Sequence, residues 1–194
     1  MQRRVDVRQP GDRAVAPGRL ALVQDFVNSV NVEFGPDEFA TAEGFHSWME
    51  HNGFPRLQAD PDELDRRTAV LLREGLRSLL RENNGAEPDP RARATVEHIA
   101  RDCPVVAAFD GPAGRMEIRP AMNDVRGVMA AVLASVVQSV YDGTWERLKA
   151  CREHRCEWAF YDRSRNRGSR WCSMAVCGTR SKMQTYRRAK QTRA

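Results

Sequence analysis

Four of the five cysteines in this chain lie within its last 44 residues, in two pairs of equal spacing. Cys151 and Cys156 form the first Cys-x4-Cys pair, Cys172 and Cys177 form the second, and fifteen residues separate the pairs. Two close pairs can bring four thiolates to one point, which is what a tetrahedral Zn²⁺ ion requires. We therefore predict that these four cysteines hold one structural zinc ion.

The alternative for these cysteines is two disulfides, which form in oxidising compartments. The N-terminal residues contain no continuous apolar run of the kind that export signals carry. No segment offers the roughly 18–20 uninterrupted apolar residues of a membrane span, since Arg126, Ser135 and Gln138 interrupt the most apolar segment, residues 125–140. We expect a soluble, cytoplasmic protein with reduced thiols and no membrane partner.

Charge is distributed unevenly along the 194 residues, whose net charge is +5. From residue 151 onward there are twelve Lys and Arg residues against three acids, or +9, which leaves −4 for residues 1–150. A zinc ion with four thiolates would add −2 and leave this end near about +7. A compact basic end on a mildly acidic body predicts a polyanionic partner, and in particular a nucleic acid.

The elements ahead of the cysteines are predicted to be mostly helical. Proline and glycine at positions 10, 11, 17 and 18 predict a flexible leader over residues 1–18. Apolar residues at helical spacing then predict five helices, of which the clearest begin at the capping residues Asp60 and Asp124. The helical period breaks over residues 104–119, which predict a β-hairpin. We expect an α+β domain over residues 19–148, mostly helical with a small β-hairpin.

Residues 149–194 are predicted to form a separate small module. Aromatic residues on both sides of the polar segment 162–169 predict a second hairpin, with Trp158 and Phe160 on one strand face and Trp171 on the other strand. Zinc would join the ends of this hairpin, as in a zinc-ribbon or treble-clef-like finger, and a helix would follow over residues 181–190. Because the module holds few apolar residues, its tryptophans are expected to form its core in preference to stacking on bases.

At this point the residues resemble a known family. The run CEWAFYDRSRNRGSRWCSMAVCGTRSKMQTYRR is similar to the CGNR zinc finger, and GRLALVQDFVNSVN is similar to the opening of the ABATE domain of bacterial stress-induced transcription regulators. The resemblance implies zinc held by the same four cysteines, and it implies that Asp162, Ser164, Asn166, Trp171 and Arg180 are motif residues. In the tetrapeptide that names the finger, Thr179 replaces asparagine. A β-branched residue resists positive φ, so a left-handed turn at this position would be strained.

Basic and amide side chains of the module are the candidate nucleic-acid contacts. Arginines of segment 162–169 form one basic edge, and donors on the following helix can reach a groove or a phosphate backbone. The predicted contact residues are Arg163, Arg165, Arg167, Arg170, Arg180, Lys182, Gln184, Arg187 and Arg188.

Other chemically suggestive residues are expected to be structural. His154 could replace one cysteine as a zinc ligand but is expected to be exposed. Asp25, Asn28 and Asn31 could line a polar pocket, although capping and surface roles are favoured for them. Cys103, placed before an apolar strand, is expected to be a buried small residue and not a reactive thiol.

These patterns favour a zinc-dependent nucleic-acid-binding protein, most of all a DNA-binding transcription regulator whose N-terminal domain senses a ligand or partner. The alternatives are an RNA-binding protein that uses the same finger and a zinc-clamped module for protein contacts. An enzyme is not expected, because there is no phosphate-cradling glycine loop, nucleophile elbow or His-Glu metal pair. The target, any small-molecule ligand of the N-terminal domain and the oligomeric state stay open.

Overall fold

A computed structural model describes residues 13–57, 59–110 and 114–191 of the chain. It confirms an α+β fold in which a mostly helical domain precedes a small cysteine-containing finger. The helices are α1 (Leu20–Val27), α2 (Ala42–His51), α3 (Glu63–Asn83), α4 (Pro90–Arg101), α5 (Val125–Tyr141) and α6 (Thr179–Gln191). The strands are β1 (Val105–Asp110), β2 (Arg115–Pro120), β3 (Leu148–Ala150) and β4 (Ala159–Tyr161).

Capping side chains fix where the helices begin. Helix α5 starts after Asp124, as predicted, and the Asp124 side chain accepts a hydrogen bond from the backbone of Gly127. Helix α3 was predicted to begin after an N-cap at Asp60. Its N-cap is instead Asp62, two residues later, because Asp62 and Asp65 form a capping box there.

Aromatic and leucine side chains of the first three helices, together with Phe39 from the loop between α1 and α2, form the centre of the core. The Phe26 ring lies 5.4 Å from the rings of Phe39 and Trp48, and all three side chains are fully buried. From α3, Leu72, Leu76 and Leu80 add a buried stripe. Within the residues described, no helix is both long enough and apolar enough to span a membrane.

Some of the apolar residues whose helical spacing predicted α3 and α5 are exposed. In α3 the exposed fraction of Leu71 is 55 %, and in α5 those of Val137 and Val140 are 48 % and 54 %. Helix α5 is apolar on most of its circumference, yet the neighbouring elements cover only part of that surface. The apolar period therefore predicted the helix correctly but assigned too wide a face to the core.

The two hairpins in the described part of the chain differ in how well they were predicted. Strands β1 and β2 pair antiparallel with Val105 opposite Pro120, which confirms the hairpin expected over residues 104–119. In the finger, β4 pairs antiparallel with β3, so that Leu148 lies opposite Tyr161. The predicted pairing of the Trp158 strand with the Trp171 segment is therefore wrong, because residues 148–150, ahead of the first cysteine, supply the partner strand.

The start of the described chain packs against both parts of the fold. Residues 13–18 were assigned to the flexible leader, whose first twelve residues lie outside the described residues. The Ala16 side chain is buried, and its backbone N–H donates to Gln24 Oε1 at 2.6 Å. The Arg13 Nε lies 3.4 Å from the sulfur of Cys172, within the finger. These contacts attach Arg13 and Ala16 to the rest of the fold, so the folded structure begins before residue 19.

Gly127, in the first turn of α5, has no room for a side chain. A Cβ atom there would lie 2.0 Å from the carbonyl oxygen of Met122. We expect Gly127→Ala to lower the free energy of unfolding by about 1–3 kcal/mol in chemical denaturation, because the backbone must move to relieve the clash. Gly168→Ala is the matched control, since its nearest neighbour would lie 3.9 Å away. Equal stability of the two variants would contradict this packing.

Candidate metal centre

The sulfurs of Cys151, Cys156, Cys172 and Cys177 lie together, all within 4.8 Å of one another. The Cys172 sulfur is 3.6 Å from that of Cys156 and 3.7 Å from that of Cys177. A tetrahedral zinc ion with Zn–S bonds of about 2.3 Å has sulfur–sulfur edges of about 3.8 Å. The same distances exceed the disulfide bond length of about 2.05 Å. The four donors therefore fit zinc and form a tetrahedral cage of the size that the ion needs, with no disulfide among them.

The four ligands come from two local structures. Cys151 follows β3 and Cys156 lies in the loop to β4, where its backbone N–H donates to the Glu153 carbonyl at 2.8 Å. Cys172 precedes the turn Met174–Gly178, and Cys177 lies within it, two residues before the first residue of α6. A loop of a β-hairpin and the N-terminal end of a helix thus share the ion, which is the treble-clef arrangement.

Burial and mutual contact shift the thiol pKa values in different directions. Hydrogen bonds from Cys151 and Cys156 lower the pKa of Cys172, because they stabilise its thiolate. Hydrogen bonding to Cys151, together with burial, raises the pKa of Cys156, and burial raises the pKa of Cys177. Cys151, Cys156 and Cys177 are buried and Cys172 is half-buried, so four adjacent thiolates here would need a divalent cation to balance their charge, which a bound zinc ion would supply.

The finger is bound to the helical domain by amide side chains. Asn28 of the α1 end accepts from the backbone N–H of Ala159 at 2.8 Å and donates to its carbonyl at 2.9 Å, so it pairs with β4 like a strand residue. Asn84, after α3, donates to the carbonyls of Ala150 and Arg170. From α3, Arg77 donates to the Glu157 carbonyl at 3.0 Å. The finger is therefore docked on the domain and does not hang from a free linker.

An ion pair between Lys149 and Asp162 organises the segment 162–169. The Lys149 Nζ donates to Asp162 Oδ2 at 2.8 Å, and the two side chains are 6 % and 0 % exposed. The carboxylate also accepts from the backbone of Ser164 and Ser169. Burial opposes ionisation of Asp162, but these hydrogen bonds outweigh it and lower the pKa of the carboxyl. The motif residue Asp162 therefore holds the shape of this segment.

Asp162→Asn is expected to destabilise the zinc-loaded protein by about 3–5 kcal/mol, because it leaves the Lys149 charge buried without a counter-ion. The folded-state pKa of Asp162 is lowered, so this contribution is present above pH about 4 and is lost as the pH falls. Glu146→Gln is the matched control, since its ion pair with Arg167 is solvent-exposed. Chemical denaturation at pH 7 should give a lower free energy of unfolding for Asp162→Asn than for Glu146→Gln. If this difference in free energy stays the same in acid, the role given to the Asp162 carboxylate is contradicted.

Three of the arginines that were predicted to contact nucleic acid form hydrogen bonds or ion pairs with other residues of the chain. The Arg180 Nη1 lies 2.5 Å from Oε1 of Glu33, in the N-terminal domain. Arg163 donates to the Val15 carbonyl at 2.9 Å. The third, Arg167, pairs with Glu146 at 3.1 Å. These pairs make the three arginines less available to a ligand than their sequence positions indicated.

The remaining predicted contacts lie at the surface of the finger. Arg165, within segment 162–169, and Arg170, directly after it, are both exposed, and α6 presents the others. Within the described part of the chain, five of these side chains have no hydrogen-bond or ion-pair partner: Arg165, Arg170, Lys182, Gln184 and Arg187. Arg188 is exposed on α6 as well.

Other residues near the metal centre and in the helical domain have structural roles. Trp158 is buried in the finger core, whereas Trp171 is half-buried. The His154 side chain is 73 % exposed and lies outside the sulfur cluster. Burial raises the pKa of the Cys103 thiol to about 11, as expected of an unreactive cysteine. Thr179 has φ −65° and ψ −43°, so the helix begins there without the left-handed turn that a β-branched residue would resist.

Sequence reasoning missed the side chains that join the two parts of the chain. Asn28 and Asp25 were expected to cap or to lie at the surface, but Asp25 accepts from Trp48 Nε1 at 2.8 Å, and Asn28 binds the finger. Asn84 was expected only to end α3, which it does as its C-cap, and Glu33 carried no expectation. Asparagine is common in the position directly after the last residue of a helix. The positions of Asn28 and Asn84 in the sequence therefore gave no signal that their side chains also bind the finger.

Comparison with family models places both parts of the chain. The ABATE model, described as "Putative stress-induced transcription regulator", matches residues 20–143, which is more than half of the chain. The CGNR zinc finger model matches residues 147–190 and so covers all four clustered cysteines. No curated protein matches the chain.

Proposed function

Because the chain belongs to the ABATE family and ends in a CGNR zinc finger, we propose that it is a DNA-binding transcription regulator whose zinc centre presents a basic helix to the duplex. The N-terminal domain is proposed to carry the regulatory role. A ligand or partner bound to this domain would alter DNA binding by the finger that is docked on it. The zinc ion is structural, because four thiolates leave it no open coordination position for a reacting water.

The observation that carries this proposal is the exposure and charge of α6. Its sequence TRSKMQTYRRAKQ contains five basic residues and no acid. Every residue from 182 to 188 is exposed, and the main contact of the helix is with the turn Met174–Gly178. Its thirteen residues make a rod about 20 Å long, which the major groove of B-DNA can admit.

The N-terminal end of α6 is held in place, as is needed for a helix that recognises DNA. Cys177 is separated from the helix only by Gly178, and its backbone N–H donates to the Ser173 carbonyl at 2.9 Å. A zinc ion held by this cysteine would anchor the N-terminal end of α6 to the loop after β3. The helix would therefore reach a duplex in one orientation and lose little conformational entropy on binding.

Salt-titrated binding to random duplex DNA tests this proposal. Phosphate contacts by Arg165, Arg170, Lys182 and Arg187 would make log affinity fall with log salt at a slope of about −4. Fluorescence anisotropy of a labelled duplex, with single-stranded RNA of equal length as competitor, measures both the slope and the preference. A slope near zero, or absence of binding at low salt, would refute DNA binding. If the RNA displaces the labelled duplex more effectively than unlabelled duplex DNA does, the nucleic-acid partner is RNA and not DNA.

A further inference from the structure

In addition to α6, the finger carries a second candidate site, an open pocket of about 460 Å³. Its walls come from segment 162–169 on one side and from the chain leading into Met174 on the other. The lining includes Arg165, Asn166, Ser169, Arg170, Trp171 and Met174. This volume falls in the range of about 300–1,000 Å³ that is common for small-ligand sites.

We propose that this pocket binds one unpaired nucleotide of a DNA strand, with its base on Trp171 and its phosphate between Arg165 and Arg170. The inference rests on the proposed DNA binding and adds to it a preference for a strand with an unstacked base. The nucleotide would belong to the strand that α6 contacts, because the pocket wall at Met174 continues through Cys177 into that helix.

The chemistry of the lining supports a nucleotide. Two guanidinium groups and no acid line the pocket, so its field favours an anion such as phosphate. Neither guanidinium has a partner among the residues that the structure describes. Trp171 is half-buried, which leaves part of its ring for stacking. The side-chain amide of Asn166 adds donors and an acceptor that suit a base edge.

The walls of the pocket are held in place before any ligand arrives. Asp162 fixes Ser164 and Ser169 through their backbone N–H groups, and Ser164 Oγ accepts from Gly168 at 3.1 Å. The carbonyl of Arg170 accepts from Asn84 Nδ2 at 3.0 Å and from the backbone of Arg152 at 3.1 Å. Such prior ordering reduces the entropy cost of binding.

The opposite wall depends on a glycine next to the metal centre. A Cβ atom on Gly178 would lie 2.8 Å from the sulfur of Met174 and 3.3 Å from Cδ1 of Trp171. The missing side chain therefore lets Trp171 and Met174 pack over the turn that contains Cys177. The pocket and the zinc site share this turn, so the pocket belongs to the folded finger.

The test compares two labelled DNA duplexes that differ only by one unpaired adenosine. We expect the zinc-loaded wild-type protein to bind the bulged duplex about tenfold more tightly than the fully paired one, since stacking of one base on an aromatic side chain gives an effect of this order. Trp171→Leu and the double variant Arg165→Ala/Arg170→Ala should remove this ratio. Trp171→Phe, which keeps an aromatic face, should retain most of it.

The matched control is Arg155→Ala, which removes an exposed finger arginine outside the pocket lining. It should leave the ratio unchanged, even where it weakens binding to both duplexes. Zinc content verifies that each variant is folded. Equal wild-type affinity for the two duplexes would overturn the pocket inference alone, and so would a ratio that persists in the double arginine variant. Failure of the wild-type protein to bind either duplex would overturn the proposed function as well.

Discussion

Removal of zinc, or the single change Cys172→Ser, is expected to unfold the segments that carry the ligands and α6 while the helical domain stays folded. Apart from cysteines, the finger cluster buries only Trp158 and Phe160, with Trp171 and Val176 partly buried. So small an apolar core cannot offset the entropy of ordering these residues. Zinc binding to a structural site supplies about 10–16 kcal/mol, so the metal is the main source of stability for the finger.

The loss of order should follow the boundary between the two cores. Leu148, Ala150 and Ala159 pack in the core of the helical domain, whereas Cys151, Cys156 and Cys177 belong to the finger cluster. Amide hydrogen exchange should therefore show lost protection over residues 151–157 and 172–191 and retained protection in α3. The change Cys103→Ser is the matched control and should leave the zinc content at one per chain. Unchanged protection of α6 in metal-free protein would contradict the role given to zinc in the finger.

Reversing charge on α6 is expected to have the second large effect. The double variant Lys182→Glu/Arg187→Glu replaces two exposed cations that have no partner among the described residues. Two phosphate contacts would be lost and two repulsions added, so duplex affinity near 0.1 M salt should fall by about 100-fold or more. Because both side chains are exposed, the zinc content and the stability should stay near those of the wild-type protein.

The control places the same charge change on the helical domain. Arg91→Glu/Arg101→Glu alters two exposed arginines of α4 and leaves the finger intact. It should weaken binding only to the small extent that long-range electrostatics allows. Comparable losses in the two double variants would show that net charge, and not α6, governs the interaction.

Local signals in the sequence were sufficient for the metal ligands and for most elements. The spacing of Cys151 to Cys177 predicted the zinc centre because each pair lies within one short loop or turn. Asp124 predicted the start of α5 because an N-cap acts on backbone groups only three residues away. The same holds for the β1–β2 hairpin, whose strands follow one another closely along the chain.

Contacts between distant residues could not be predicted in this way. Asn28 and Ala159 are 131 positions apart, and Arg180 and Glu33 are 147 apart, so no periodicity or spacing links them. The finger hairpin was mispredicted for a related reason. Aromatic residues beside segment 162–169 gave a strong local signal, but burial of Leu148 in the larger core decided that β3 would be the partner strand.

Zinc is proposed to order a basic helix that binds DNA, and duplex binding with and without the metal tests this dependence most directly. Anisotropy of one labelled duplex at low salt should be measured with the purified, reduced protein, after chelation, and after return of one equivalent of zinc. We expect binding to disappear with the chelator and to return in full with zinc. Equal affinity in the metal-free and zinc-loaded states would contradict the proposed dependence.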